Sequence, residues 1–299
     1  MSTFVVFCCD RNYFPLAKGL VLSLTNAGLE ESGIRLAFID IGCEPDSVAW
    51  LRERGVHVLP SSQLTAIEGL QNVKGYHLAQ ICRPYLPRLF PEASAFIWLD
   101  SDLWVQSADT LKLLALYADN NRDKIFICPE WHYAYAAMNS DIVKFHVNNI
   151  GYHYNKAYGR EVAAKLSVRP WLNTGVFAMA ADNPLWARWG EELKRLYARH
   201  YAEDGDLARH MADGVSLNYL VAESSAAVLV DPLFNFTCMW ALPYRDPAGV
   251  VRVPLPPNTP IGIVHLSMWS GRRKFYFEHG LLFQQGQYLS PDERVLLLP

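Results

Sequence analysis

Asp100, Ser101 and Asp102 close the segment Phe96-Ile97-Trp98-Leu99, placing two carboxylates one residue apart where an apolar run stops. Two acidic groups so placed are costly unless something cationic neutralises them. Hard carboxylate oxygens suit Mg²⁺ or Mn²⁺, so the triplet has the shape of a divalent-metal site able to do Lewis-acid work. The bare pattern is weak, because composition alone gives about one D-x-D in a chain of this length. A second copy, Asp204-Gly205-Asp206, makes the point. It follows the polar stretch from Arg199 to Glu203 and precedes Leu207, Ala208 and Arg209, the setting of a turn and helix cap.

Context separates the two. An apolar run without alternation suits a strand covered on both faces, and in open α/β sheets ligands gather at the carboxyl ends of such strands. Upstream, residues 3–9 read as a strand and 10–13 as a loop. Pro15 starts a helical stretch that Gly28 ends, and residues 34–41, 46–54 and 55–59 read as strand, helix and strand. That alternation predicts a parallel sheet with right-handed crossovers. No Gly-rich fingerprint follows the first strand, which argues against NAD and FAD chemistry. Residues 76–90 read as a helix that Pro84 and Pro87 interrupt.

Beyond the acidic pair, a helix is expected from Ser107 to about Ala118 and a strand at 124–128. From Glu130 to Trp171 the pattern loosens and fills with Trp131, Tyr133, Tyr135, His146, Tyr152, His153, Tyr154, Tyr158 and Trp171. Such rings serve equally as platforms for the apolar faces of sugars or as half-buried packing. Strands are expected at 172–180, 226–230 and 261–266, the last carrying His265, with helices at 184–202 and 207–222.

The 299 residues, 51% apolar, suffice for one large core, and a single α/β domain with an elaborated second half is the economical reading. A net charge of -3 gives no basic stripe for nucleic acid. The six cysteines lack C-x-x-C spacing, and Cys8 and Cys9 on one strand point to opposite faces, so reduced thiols in a cytoplasmic protein are expected. No segment has the length and apolarity of a transmembrane span, and the first residues carry no signal-peptide pattern.

CCDRNYF at the first strand end, CRPYLP, WLDSD, LNTG, DGVSLN and HLSMWSGRRKF occur in this order over nearly the whole chain. The set resembles the GT-A glycosyltransferases, most closely the retaining family of glycogenin and the bacterial lipopolysaccharide galactosyltransferases. The resemblance implies one GT-A domain over 1–299, Rossmann-like, with a mostly parallel sheet between helices. Its nucleotide-binding half would span 1–106 and its acceptor-binding half 107–299.

It also implies a metal-dependent hexosyltransferase of bacterial polysaccharide or glycoconjugate biosynthesis. A UDP-hexose would be the donor, and the acceptor a glycan, lipid-linked or small-molecule hydroxyl. Asp100, Asp102 and His265 would hold Mn²⁺ or Mg²⁺. Asp10, Asn12 and Tyr13 would line the nucleoside pocket beside Cys8, Cys9 and Ser101, with Tyr13 stacking on uracil. Arg83 would contact the donor sugar or hold the acidic cluster, Asn173 and Asp213 would face that sugar, and Gly271 and Lys274 would meet the diphosphate.

Two departures qualify the transfer. DGVSLN puts Gly214 where relatives often carry Gln near the anomeric carbon, which excludes a nucleophile from that position. The late motif is stretched, with Phe275 for Pro, so Arg272 and Arg273 remain alternatives to Lys274. Tyr13 could instead pack its helix, Arg83 could pair with any carboxylate, and Asp213 could cap the helix holding Leu217 and Leu220. A sugar-phosphate nucleotidyltransferase and a non-catalytic nucleotide-sugar or glycan-binding protein are the competing readings. The first would want a basic, Gly-rich phosphate loop that CCDRNY does not supply.

Overall fold

The computed structural model describes residues 2–267, apart from 66, 68–72, 74, 76, 139–143, 200–205 and 242. Strands β1 (Ser2–Cys9), β2 (Arg35–Asp40), β3 (His57–Pro60) and β4 (Ala93–Leu99) are parallel neighbours in the order β3-β2-β1-β4. Every residue of β4 is buried, as its unbroken apolar run requires. The sheet continues past β4 through β7 (Leu172–Ala180), β6 (Ile125–Pro129) and β8 (Ala227–Leu229), making seven strands. β7 runs antiparallel to both β4 and β6, whereas β6 and β8 are parallel. The sheet is therefore mostly parallel, with one reversed strand beside the centre.

Strand alternation sorts the core into two layers. Phe4, Val6, Phe96, Trp98 and Phe177 face Trp186, Trp189 and Leu193 of the helix Leu185–Arg199. Val5, Phe7, Ile97 and Leu99 face Leu20 and Leu24 of the helix Phe14–Asn26, and Leu111 and Leu114 of the helix Ala108–Asn120. Each such buried Leu or Phe stabilises by about 2 kcal/mol. Pro15 opens the first of these helices, and Ser107 caps the other by accepting from the Asp109 amide at 3.2 Å. The stretch before β4 is cut at its prolines into short turns, His77–Ile81, Arg83–Tyr85 and Leu86–Leu89.

A small second sheet sits at the carboxyl end of β4. β5 (Leu103–Val105) pairs antiparallel with the last described strand, Ile263–His265, which also lies parallel to Phe236–Thr237. Trp104, Phe236, Trp240, Val253 and Val264 form its core. Strands of two or three residues carry no readable period, so β5 and Phe236–Thr237 are absent from the sequence reading.

The stretch from Glu130 to Trp171 corrects that reading. It contains a 3₁₀ turn at Tyr133–Met138, a π turn at Phe145–Ile150 and helices at Gly151–Tyr158 and Arg160–Leu166. Ile150, Tyr154 and Ala157 recur at helical spacing and reach the main core, a signal hidden among polar aromatics. Asp213 is also corrected as a cap: it lies inside the helix Asp206–Ser224. That helix begins at the second D-x-D, as a turn and helix start requires; Asp204 and Gly205 lie outside the described residues.

Candidate metal and donor site

Register brings the site together. Asp100 follows β4, and its amide donates to the Gly175 carbonyl of β7 at 2.8 Å. Ser101 turns the chain toward the small sheet and donates its hydroxyl to the Cys8 carbonyl at 2.9 Å, tying the ends of β4 and β1. β5 then pairs Leu103 with His265, and the Leu266 amide donates to the Asp102 carbonyl at 3.0 Å. A histidine 163 positions downstream thus lands beside Asp102 through a three-residue strand.

One ligand atom each from Asp100, Asp102 and His265 falls within a 4.8 Å span. His265 Nε2 lies 3.4 Å from Asp102 Oδ1 and 4.0 Å from Asp100 Oδ2. Two carboxylates and one imidazole at this separation fit a divalent cation, with the remaining positions open to ligand oxygens and water. Burial alone would depress the His265 pKa, but Asp102, then Asp100 and Glu130, overcome it and raise the value. Gly175 is required by the crowding here. A Cβ there would collide with the imidazole, with Asn173 Oδ1 at 2.8 Å and with Asp100 Oδ2 at 3.0 Å.

Arg83 is 5% exposed and holds the acidic groups together. It donates to Asp100 Oδ1 at 2.6 Å, to Thr174 Oγ1 at 2.7 Å, and to Asp213 Oδ2. Its guanidinium sits over Trp98 at 5.0 Å. Burial pulls its pKa down, yet Asp100 and Asp213 more than offset this and raise it. Arg83 thus bridges Asp100 and Asp213 within the acidic cluster.

Asn173 Oδ1 accepts from the Gly175 amide at 2.8 Å and from Asn235 Nδ2 at 2.9 Å. Its amide nitrogen donates to Glu130 Oε1 at 2.5 Å. Trp240 Nε1 donates to Glu130 Oε2 at 3.0 Å, and Asn235 Oδ1 meets His265 Nδ1 at 2.9 Å. Glu130, Asn235, Trp240 and Thr174 escape the sequence reading. Each is a single polar residue whose partners lie far along the chain, and only Thr174 sits inside a quoted motif.

Asp10, Asn12 and Tyr13, the residues expected at the nucleoside, share one loop. Asp10 Oδ1 accepts from the Asn12 amide at 2.9 Å and the Tyr13 amide at 3.1 Å, and Tyr13 is 41% exposed. Parallel pairing of β1 with β4 puts this loop at the same sheet end as Asp100. Cys8 and Cys9 turn into opposite core layers, and burial pushes both thiols well up. Neither side chain is left facing solvent. All six cysteines are free. At Gly214 an added Cβ would lie 2.5 Å from Trp171 Cζ2, so that indole occupies the room a side chain would need. Gly271, Arg272, Arg273, Lys274 and Phe275 lie outside the described residues.

No family model and no curated protein sequence matches the chain. Solved structures do. The galactosyltransferase LgtC, in complex with donor and acceptor sugar analogues, superposes over 98% of this chain and 99% of its own, with a TM-score of 0.57 and 14% identity. The apo bifunctional glycosyltransferase WbbM covers 99% of this chain and 51% of its own, at a TM-score of 0.61 and 13% identity. Apo mouse xyloside xylosyltransferase 1 covers 89% and 98%, at 0.52 and 13%. The chain has the fold of the GT-A glycosyltransferases. Among the described residues no helix is long and apolar enough to cross a membrane.

Proposed function

We propose that this protein is a divalent-metal-dependent glycosyltransferase that moves a hexose from a UDP-sugar to an acceptor hydroxyl with retention of configuration. The carrying observation is the convergence of Asp100, Asp102 and His265 at the carboxyl end of the central strand of a GT-A fold. Mn²⁺ or Mg²⁺ bound there supplies Lewis-acid stabilisation to the departing diphosphate.

The chain's own residues do the rest. The Asp10–Tyr13 loop holds the nucleoside, with the Tyr13 ring against the base and Asp10 accepting from it. Arg83 fixes the half-buried Asp100 in place and neutralises the buried Asp213, so both acids stay ordered. Asp213 and Asn173 face the donor sugar, and Lys274 and Gly271, from the late motif, are assigned to the diphosphate as negative charge grows. No side chain is present at position 214 to attack the anomeric carbon, and Trp171 closes that space. The acceptor hydroxyl therefore enters on the face the leaving group vacates and gives its proton to a leaving phosphate oxygen.

The acceptor is a glycan, lipid-linked or small-molecule hydroxyl, and the setting is cytoplasmic. A thermal-shift panel of nucleotide sugars with Mn²⁺ tests the donor: UDP-hexoses are expected to raise the melting temperature by mass action, and other nucleotide sugars less. NMR of the product anomer tests retention, and an inverted product would overturn the front-face course. Metal-dependent UDP binding with no turnover on any acceptor would favour the non-catalytic reading.

A further inference from the structure

The ring protons of His265 have two competing acceptors. Asp102 Oδ1 lies 3.4 Å from Nε2, and Asn235 Oδ1 lies 2.9 Å from Nδ1. If a single proton sat on Nε2, it would block the atom that faces the two carboxylates. A carboxylate neighbour favours that blocked form, so something must hold the proton on the other nitrogen.

Behind the ring runs a chain of four groups whose hydrogen-bond directions are fixed at two points. Glu130 is 8% exposed, and its carboxylate can only accept. It takes Asn173 Nδ2–H at 2.5 Å and the indole N–H of Trp240, a donor only, at 3.0 Å. The second fixed point is the Gly175 amide, which donates to Asn173 Oδ1 at 2.8 Å. Together they settle which end of the Asn173 amide is oxygen. That oxygen also accepts from Asn235 Nδ2 at 2.9 Å, which turns the Asn235 oxygen toward His265. An amide oxygen cannot donate, so Nδ1 must carry the hydrogen.

We propose that Glu130 is a positioning residue which, through the aligned amides of Asn173 and Asn235, holds His265 as the Nδ1–H tautomer with Nε2 bare toward the cation. This rests on the metal site proposed above. A histidine ligand generally donates its other ring N–H to an oriented acceptor, and losing that acceptor costs about 10–100-fold in metal affinity. Here the carboxylate acts at a distance of two amides. That arrangement also gives a role to a buried acid whose side-chain donors among the described residues, Asn173 and Trp240, are neutral.

Long-range ¹H–¹⁵N NMR of the imidazole reads the tautomer, recorded on the metal-free protein at a pH where the ring is neutral. Mn²⁺ calorimetry reads affinity separately. The wild type is expected to show Nδ1–H. Asn235→Ala and Glu130→Gln are expected to populate Nε2–H beside Asp102 and to bind Mn²⁺ about 10–100-fold more weakly. Near-UV circular dichroism identifies which of the two variants keeps its packing, and either one suffices. An Nε2–H ring in the wild type, or an unshifted tautomer in a folded variant, would overturn the proposal. If the wild type binds no Mn²⁺, the metal reading fails while the tautomer measurement still decides the relay.

Discussion

Arg83 and Trp98 both donate to the same oxygen of Asp100, at 2.6 and 2.8 Å. The other oxygen, Oδ2, is thereby the one that faces His265, at 4.0 Å from Nε2. A carboxylate so oriented has one oxygen committed to the protein and one aimed at the gap between Asp102 and the imidazole. That division of labour would let a residue just past the strand end serve as a metal ligand without loop freedom.

Arg83 is the first place to test the cluster. Arg83→Met leaves Asp213, 4% exposed, without its cation. Breaking one side of a buried ion pair costs about 3–5 kcal/mol. Urea unfolding is expected to show that loss for Arg83→Met. Combined with Asp213→Asn, the second change should cost much less than it does alone, as contacting pairs are non-additive.

Gly175→Ala should separate folding from metal binding. The added methyl falls on the His265 ring, Asn173 and Asp100, so the imidazole must move. Overpacking of this kind costs about 1–3 kcal/mol of stability. The sheet is expected to persist by far-UV circular dichroism while Mn²⁺ affinity, read by calorimetry, falls at least about tenfold. Unchanged affinity would contradict the geometry given for the three ligands.

Trp171 and Gly214 form a second couple. Gly214→Ala is expected to destabilise by about 1–3 kcal/mol, because its methyl meets the indole. In a Trp171→Ala background the same change should cost little, since the space is then open. Equal costs in both backgrounds, measured by denaturant unfolding, would remove the indole as the reason for glycine.

The positions of β1 to β4 and the acidic pair were legible because long apolar runs and their stops are local signals. LNTG announced β7 but not its reason: Gly175 is small because His265, 90 positions later, packs on it. Glu130, Asn235 and Trp240 had no local mark, since their roles exist only once β6 has paired with β7 and the Phe236–Thr237 strand with the last strand. The reversed direction of β7 was hidden for the same reason. The helices between Glu130 and Trp171 did carry a spacing, Ile150, Tyr154 and Ala157, but polar aromatics around it masked the stripe.

In the proposed reaction, Asp102 and its partners bind a cation that enables departure of a nucleoside diphosphate. Hydrolysis of a UDP-hexose in the presence of Mn²⁺, followed as UDP release by the wild type and by Asp102→Ala, tests it most directly. Metal-dependent release by the wild type, abolished by chelator, is expected, with none above background from the folded variant. Release by Asp102→Ala at the wild-type rate, or release indifferent to Mn²⁺, would contradict it.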